Sequence, residues 1–136
     1  MAHSLEFELS GSVKASDGEK RLSVACRAPH VTLAQIVGWA PLMLEGTATL
    51  EGCADRVPLL WGSIVEVGPP LHRWIRYQLV FRDEAHHTYR FFGESRVSVA
   101  SLGRSLLVAE GTLFRSGEPL GGATLRLTLP RPAFIL

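Results

Sequence analysis

Eight short stretches of the sequence alternate apolar and polar residues, which is the periodicity of a β-strand with two different faces. In most of these stretches the apolar register contains no aspartate, glutamate, lysine or arginine. They comprise residues 5–13, 20–27, 43–50, 57–67, 73–81, 87–97, 106–114 and 122–129. The pattern predicts an all-β chain whose antiparallel sheet encloses an apolar interior.

Eight antiparallel strands can close on themselves and so remove the exposed edges of a sheet. We therefore predict an eight-stranded β-barrel, and the 136 residues fit one domain over 1–136. A barrel of this size is either packed solid or hollow, and the pattern leaves both open. Glycines inside the strand patterns indicate sharp barrel curvature; they are Gly46, Gly62, Gly93, Gly111 and Gly122.

Turn and cap residues divide the pattern further. Ser16-Asp17-Gly18 predicts a hairpin turn, and Pro29 is expected to end the second strand because proline cannot donate to the ladder. Thr32 is then suited to cap one short helix over residues 33–39, which Pro41 would end. This helix would lie between the second and third strands.

Charge and cysteine content exclude several classes of function. The chain has 14 Lys plus Arg against 13 Asp plus Glu, so it lacks the basic excess that draws proteins to nucleic acid. Cys26 in a strand and Cys53 in a turn are expected to be free thiols. The sequence shows neither a signal-peptide pattern nor a run of about 18 apolar residues. We expect a cytoplasmic protein that does not insert into membranes.

The inward register has few polar groups, namely Tyr77, Tyr89, Ser63 and Ser95. Hydroxyls orient a ligand without placing a charge beside it. We predict that an apolar ligand contacts Phe7, Trp61, Tyr77, Tyr89 and Phe91, with Trp39 on the helix as a lid. In the alternative, these side chains fill a solid core and the two phenols bond to nearby carbonyls.

The clusters of histidine and charged residues in the sequence do not predict a catalytic or metal site. His86 and His87 adjoin Asp83, but adjacent strand residues point to opposite faces, so the pair is predicted to lie at a solvated hairpin tip. Glu94 is flanked by arginines and is expected to form a surface ion pair. We therefore assign no catalytic residue, no metal and no cofactor.

The order of several short motifs resembles that in a known family. They are FELSG at 7–11, LEGT at 44–47, EGCA at 51–54, IRYQLVF at 75–81, YRFFGE at 89–94 and GTLF at 111–114. Together they resemble the lipocalin-like β-barrel domain that accompanies cholesterol-oxidase-like flavoproteins of the glucose-methanol-choline oxidoreductase family. The resemblance implies a barrel associated with lipid-like, steroid-like or polyketide-like molecules. Since no flavin-binding glycine motif is present, it does not imply oxidoreductase activity, and the barrel is expected to act alone.

Three functions remain open at this point. The barrel binds an apolar small molecule, or it acts as a cofactor-free cyclase or isomerase that holds a flexible substrate in a reactive geometry. As a third alternative, it is a docking or dimerisation module, most simply a homodimer. Its contacts would be the outward apolar residues Leu60, Ile64, Trp74, Val80, Phe92, Leu106, Val108 and Phe114. A β-bulge that inverts the register would instead place some of these in the lumen.

Overall fold

The computed structural model describes residues 3–31, 42–67, 73–97 and 108–128, which form nine β-strands. The strands are β1 (His3–Ala15), β2 (Gly18–Val31), β3 (Leu42–Met43), β4 (Glu45–Leu50), β5 (Ala54–Val67), β6 (Arg73–Arg82), β7 (Thr88–Val97), β8 (Val108–Arg115) and β9 (Glu118–Thr128). The described residues contain no helix. The helix predicted over residues 33–39 lies outside them.

The strands close into a barrel. Their order is β3-β5-β4-β2-β1-β9-β8-β7-β6, and an additional pairing of β5 with β6 closes the ring. Every pairing is antiparallel. Eight strands form the ring, and the two-residue β3 pairs with β5 outside it. The predicted eight-stranded antiparallel barrel is therefore confirmed.

The two ends of the barrel differ. Short turns join β1 to β2, β4 to β5, β6 to β7 and β8 to β9, and antiparallel order places all four at one end, here called the turn end. The remaining strand ends lie at the opposite end. Residues 32–41, 68–72 and 98–107, which connect these strands in sequence, are outside the described residues.

The second strand is longer than the sequence predicts. β2 runs through Pro29 to Val31, so the prediction that this proline ends the strand is wrong. The pairing of β2 with β4 stops at Arg27, and its pairing with β1 is irregular between Ala28 and Val31. No regular ladder position requires an N–H at Pro29, and the proline therefore costs no regular ladder hydrogen bond.

A register shift interrupts β5. Leu59 pairs with Phe81 and Trp61 pairs with Val80, which leaves Leu60 as one extra residue on β5. This is the arrangement of a β-bulge, in which two residues oppose one and the side-chain alternation shifts by one.

The bulge inverts the predicted register of the second half of β5. Beyond it, Gly62 and Ile64 pair with Leu79 and Tyr77, whose side chains are buried inside the barrel. Directly paired residues share a face of the sheet, so Gly62 and Ile64 face inward. The predictions that Ile64 faces outward and that Trp61 and Val65 face inward are therefore wrong. Ser63 is also turned to the outer face by its pairing with Gln78, but its side chain is buried there.

Two glycines allow neighbouring strands to approach closely. A Cβ atom on Gly111 would lie 1.8 Å from the carbonyl oxygen of Phe92, and one on Gly46 would lie 1.8 Å from that of Ala25. Only glycine fits these positions, so the close approach of neighbouring strands accounts for Gly46 and Gly111. At Gly122 the nearest atom would be 3.9 Å away, so close approach does not account for this glycine.

The barrel interior is one apolar core. Its largest fully buried side chains come from β1, β2, β4 and β6 to β9, so nearly every strand of the ring contributes. They are Leu9, Val13, Leu22, Val24, Leu50, Leu79, Phe81, Tyr89, Phe91, Leu113 and Leu125. The alternation of these strands is as predicted.

Candidate functional site: the barrel interior

Four of the predicted ligand-binding residues belong to one buried cluster inside the barrel. Phe7, Tyr77, Tyr89 and Phe91 are each at most 3 % exposed and contribute from β1, β6 and β7. The alternation of these strands directs their side chains inward, as the sequence predicts. The two hydroxyls, however, make different bonds at different heights in the barrel.

Trp61 does not join this cluster. Its side chain is 49 % exposed on the outer face, because the extra residue Leu60 shifts the register before it. The prediction that Trp61 lines the lumen is therefore wrong. Trp39, the predicted lid, lies outside the described residues.

Small residues line one part of the interior wall. From the middle of the barrel towards the opposite end, the inward positions are Gly93 and Ser95 on β7 and Ala109 and Gly111 on β8. Phe91 covers part of this wall, since a Cβ on Gly93 would lie 2.3 Å from Cζ of its ring. The Phe91 ring therefore occupies the space over Gly93, and beyond it the wall consists of the small residues Ser95, Ala109 and Gly111.

A pair of hydroxyls lies beside the small-residue wall. Ser95 donates a hydrogen bond to the carbonyl oxygen of Val108, and its Oγ is bonded to the hydroxyl of Tyr77. Burial raises the pKa of Tyr77, and the bond to Ser95 only partly offsets this effect. Both groups are therefore neutral at physiological pH, and they form a polar but uncharged point in an apolar surface.

The turn end contains a buried carboxylate. Asp83 is 8 % exposed and accepts hydrogen bonds from the hydroxyl of Tyr89 at 3.0 Å, the backbone N–H of His87 at 2.8 Å and Nδ1 of the His87 ring at 3.1 Å. The ring of Tyr89 also stacks on Phe81, with centroids 5.1 Å apart. At this hairpin of the turn end, the polar groups are thus paired with one another beside the stacked rings of Phe81 and Tyr89.

The charges in this network follow from its bonds. Burial disfavours ionisation of Asp83, but the bonds from His87 and Tyr89 outweigh it, and the pKa of the carboxyl is lowered. The pKa of Tyr89 is raised, first by burial and then by the bond to the carboxylate. Asp83 is thus a stable anion and Tyr89 a neutral donor.

The sequence analysis did not predict this network. It grouped Asp83 with His86 and His87 at a solvated hairpin tip, whereas in the structure the two histidines are exposed and Asp83 is buried. The alternation of β6 could have revealed the burial of Asp83, because Leu79, Phe81 and Asp83 are alternate residues and alternate residues of a strand point to the same face.

The thiols are free, as predicted. Cys26 is buried in the interior, where burial, with a smaller contribution from Glu8, raises its pKa to about 12. It is a protonated thiol at neutral pH and not a thiolate nucleophile. Cys53 is partly buried in the turn between β4 and β5.

In residues 3–31, 42–67, 73–97 and 108–128, no three His, Cys, Asp or Glu side chains converge to hold a metal ion.

Glu94 forms the predicted surface ion pair. Its partner is Arg76, with Nε 3.1 Å from Oε1, and both side chains are exposed. A carboxylate in this setting has no access to the interior.

These features define a closed antiparallel barrel with an apolar interior, a hydroxyl pair in its wall and a hydrogen-bonded carboxylate at its turn end. Comparisons with protein-family models, curated proteins and solved structures gave no match for the chain. The resemblance to the lipocalin-like domain of the flavoproteins therefore stays a prediction. Across the ranges that the structure covers, no helix is long and apolar enough to cross a membrane.

Proposed function

We propose that the barrel binds an apolar small molecule in the half of its interior that is remote from the turn end. The observation that carries the proposal is the small-residue wall of Gly93, Ser95, Ala109 and Gly111 beside the hydroxyl of Tyr77. An apolar body would lie against the wall, and one carbonyl or hydroxyl of the ligand would meet the hydroxyl pair. A lipid-like, steroid-like or polyketide-like compound has this chemistry.

The two ends of the barrel differ, and this difference indicates the end at which the proposed ligand would enter. At the turn end, Asp83 and Tyr89 are bonded to each other above the ring of Phe81. Partly buried apolar side chains pack against the core at both ends, but the described residues of the opposite end include no buried carboxylate. Those at the opposite end are Leu42, Ile64, Ile75 and Leu127. An apolar rim of this kind favours entry of an apolar ligand.

The cyclase alternative needs no free acid or base, because it acts by holding its substrate in a reactive geometry, so recovery of the bound compound is what distinguishes it from binding. Among the described residues, the one buried carboxylate is Asp83, and its three hydrogen-bond donors hold it at the turn end.

The predicted cytoplasmic location is part of the proposal and agrees with the free thiols of Cys26 and Cys53.

Titration with an environment-sensitive lipophilic dye tests the proposal, because the dye gains fluorescence when it leaves water. The wild-type protein should bind it saturably. The decisive variant is Ala109→Leu, which adds bulk to the small-residue wall, and the matched control is Thr124→Leu on the outer face of β9. In a hollow barrel, Ala109→Leu should keep the melting temperature of the wild type and lose the dye, whereas the control should keep both.

A solid core gives the opposite result. Ala109→Leu would then overpack the interior and lower stability by about 1–3 kcal/mol. Absence of saturable dye binding by the wild type, together with this loss, would overturn the proposal. Mass spectrometry of compounds extracted from the purified protein identifies a resident ligand, and incubation of that compound with fresh protein shows whether it is returned unchanged.

A further inference from the structure

Large apolar side chains are exposed on one side of the outer face of the barrel. On β3, β5 and β7 they are Met43, Leu60, Trp61 and Phe92. Phe92 packs edge to face against the partly buried Phe114 of β8, with ring centroids 5.9 Å apart. We call these five residues the outer patch. A cluster of this kind on a small protein marks an interaction surface.

Strand pairing makes the outer patch continuous. Two neighbouring rows of paired, outward positions cross the strands that bear it. One row runs through Met43, Ser63, Gln78, Phe92 and Thr112. The next row, nearer the turn end, runs through Trp61, Val80, Arg90 and Phe114. The first of these rows carries no charge, and Phe92 lies within it.

Charges of opposite sign flank the uncharged row. Arg90 lies two residues from Phe92 towards the turn end, and it forms no ion pair within the described part of the chain. Glu94 lies two residues from Phe92 in the other direction, directly opposite Glu110 of β8. Paired like charges repel, and the bond to Arg76 neutralises one of the two carboxylates. The face therefore has a cationic half and an acidic half.

We propose that the outer patch binds a second copy of this chain. The two-fold axis lies in the interface, runs perpendicular to the strands and passes beside Phe92. Strands of the two copies then run antiparallel across the interface, which places Phe92 against the partner's Phe92. Arg90 meets the partner's Glu94 and the partner's Glu110, and symmetry forms this contact twice.

The charge pattern favours this partner over others. A two-fold axis along the strands would place Arg90 against the partner's Arg90, which is repulsive. A purely anionic surface, such as nucleic acid or an acidic membrane, would meet Glu94 and Glu110. A second copy related by the proposed axis places its acidic half against the cationic half of the first copy and its cationic half against the acidic half, so both contacts are attractive.

Sedimentation velocity of two complementary charge variants tests the proposal. In Arg90→Glu the positions that flank Phe92 are acidic except for Arg76, which stays paired with Glu94, and in the double variant Glu94→Arg, Glu110→Arg they are all basic. The wild type should sediment as a dimer, each variant alone as a monomer, and the equimolar mixture as a heterodimer. Arg21→Glu on β2, across the barrel from β7, is the control and should remain a dimer.

Far-UV circular dichroism establishes that each variant is folded. Should Arg90→Glu fail to fold, Arg90→Gln replaces it and should weaken self-association at least several-fold. A wild type that sediments as a monomer at every concentration would overturn the proposal. So would a dimer that survives both charge variants, since it must use another surface.

Discussion

The hydroxyl of Tyr89 donates a hydrogen bond of 3.0 Å to Oδ2 of Asp83, the carboxylate in the turn between β6 and β7. This bond joins an interior aromatic side chain to one of the chain reversals at the turn end. Tyr77, in the same buried cluster, bonds instead to Ser95. The two tyrosine hydroxyls therefore have different partners, and in the proposed function it is Tyr77 that would orient a ligand at the small-residue wall.

Replacement of Tyr89 by phenylalanine should destabilise the fold without changing ligand binding. The variant removes one of the donors to the buried carboxylate of Asp83 and leaves that charge less well satisfied. We expect a loss of about 1–3 kcal/mol in the free energy of unfolding. Urea denaturation measures it, and dye titration should give the wild-type affinity. Weakened dye binding at unchanged stability would contradict this assignment.

Replacement of Tyr77 by phenylalanine should have the complementary effect for a ligand that carries a carbonyl or hydroxyl group. Loss of one hydrogen bond costs about 0.5–1.5 kcal/mol, which is roughly a two- to twelvefold increase in Kd. Calorimetry with such a probe measures the change, and a matched hydrocarbon probe should show no difference. Equal affinities for the polar probe in both proteins would remove Tyr77 from the site.

Acid should weaken the protein through Asp83. Its pKa is lowered from the ordinary value of 3.8, so the folded state binds the proton less tightly than the unfolded state. The stabilisation is complete above that ordinary value and is lost as the pH falls through the lowered pKa. Asp83→Asn should flatten the acid limb of a plot of unfolding free energy against pH, whereas Asp55→Asn, at an exposed position, should preserve it. An unchanged acid limb in Asp83→Asn would refute this linkage.

Deletion of Leu60 should be tolerated, although it lies within a strand. The residue is the extra one of the bulge, so its removal lets Trp61 follow Leu59 in the ladder with every side chain still on its present face. Deletion of Val80, on the paired strand β6, is the control. That change turns the rest of β6 inside out and should abolish folding. Circular dichroism with thermal melting distinguishes the two, and an unfolded Leu60 deletion would contradict the placement of the bulge.

The alternating pattern by itself determined most of the barrel. Strands with one consistently apolar register, such as those of Leu9, Leu79 and Phe91, have the same inward faces in the structure. Once that register is apolar, burial leaves each strand only one favourable orientation. The number of such strands and their short turns indicated a closed antiparallel ring.

Only the tertiary structure decided where the pattern was ambiguous. Around Leu60 both registers of β5 are largely apolar, so either face could be buried, and the pairing of Trp61 with Val80 selects one of them. Asp83 is buried because Tyr89 and His87 supply donors across the hairpin, which an isolated run of residues does not reveal. Local alternation measures the preference of each strand alone, whereas bulges and buried charges depend on the partners that folding brings to them.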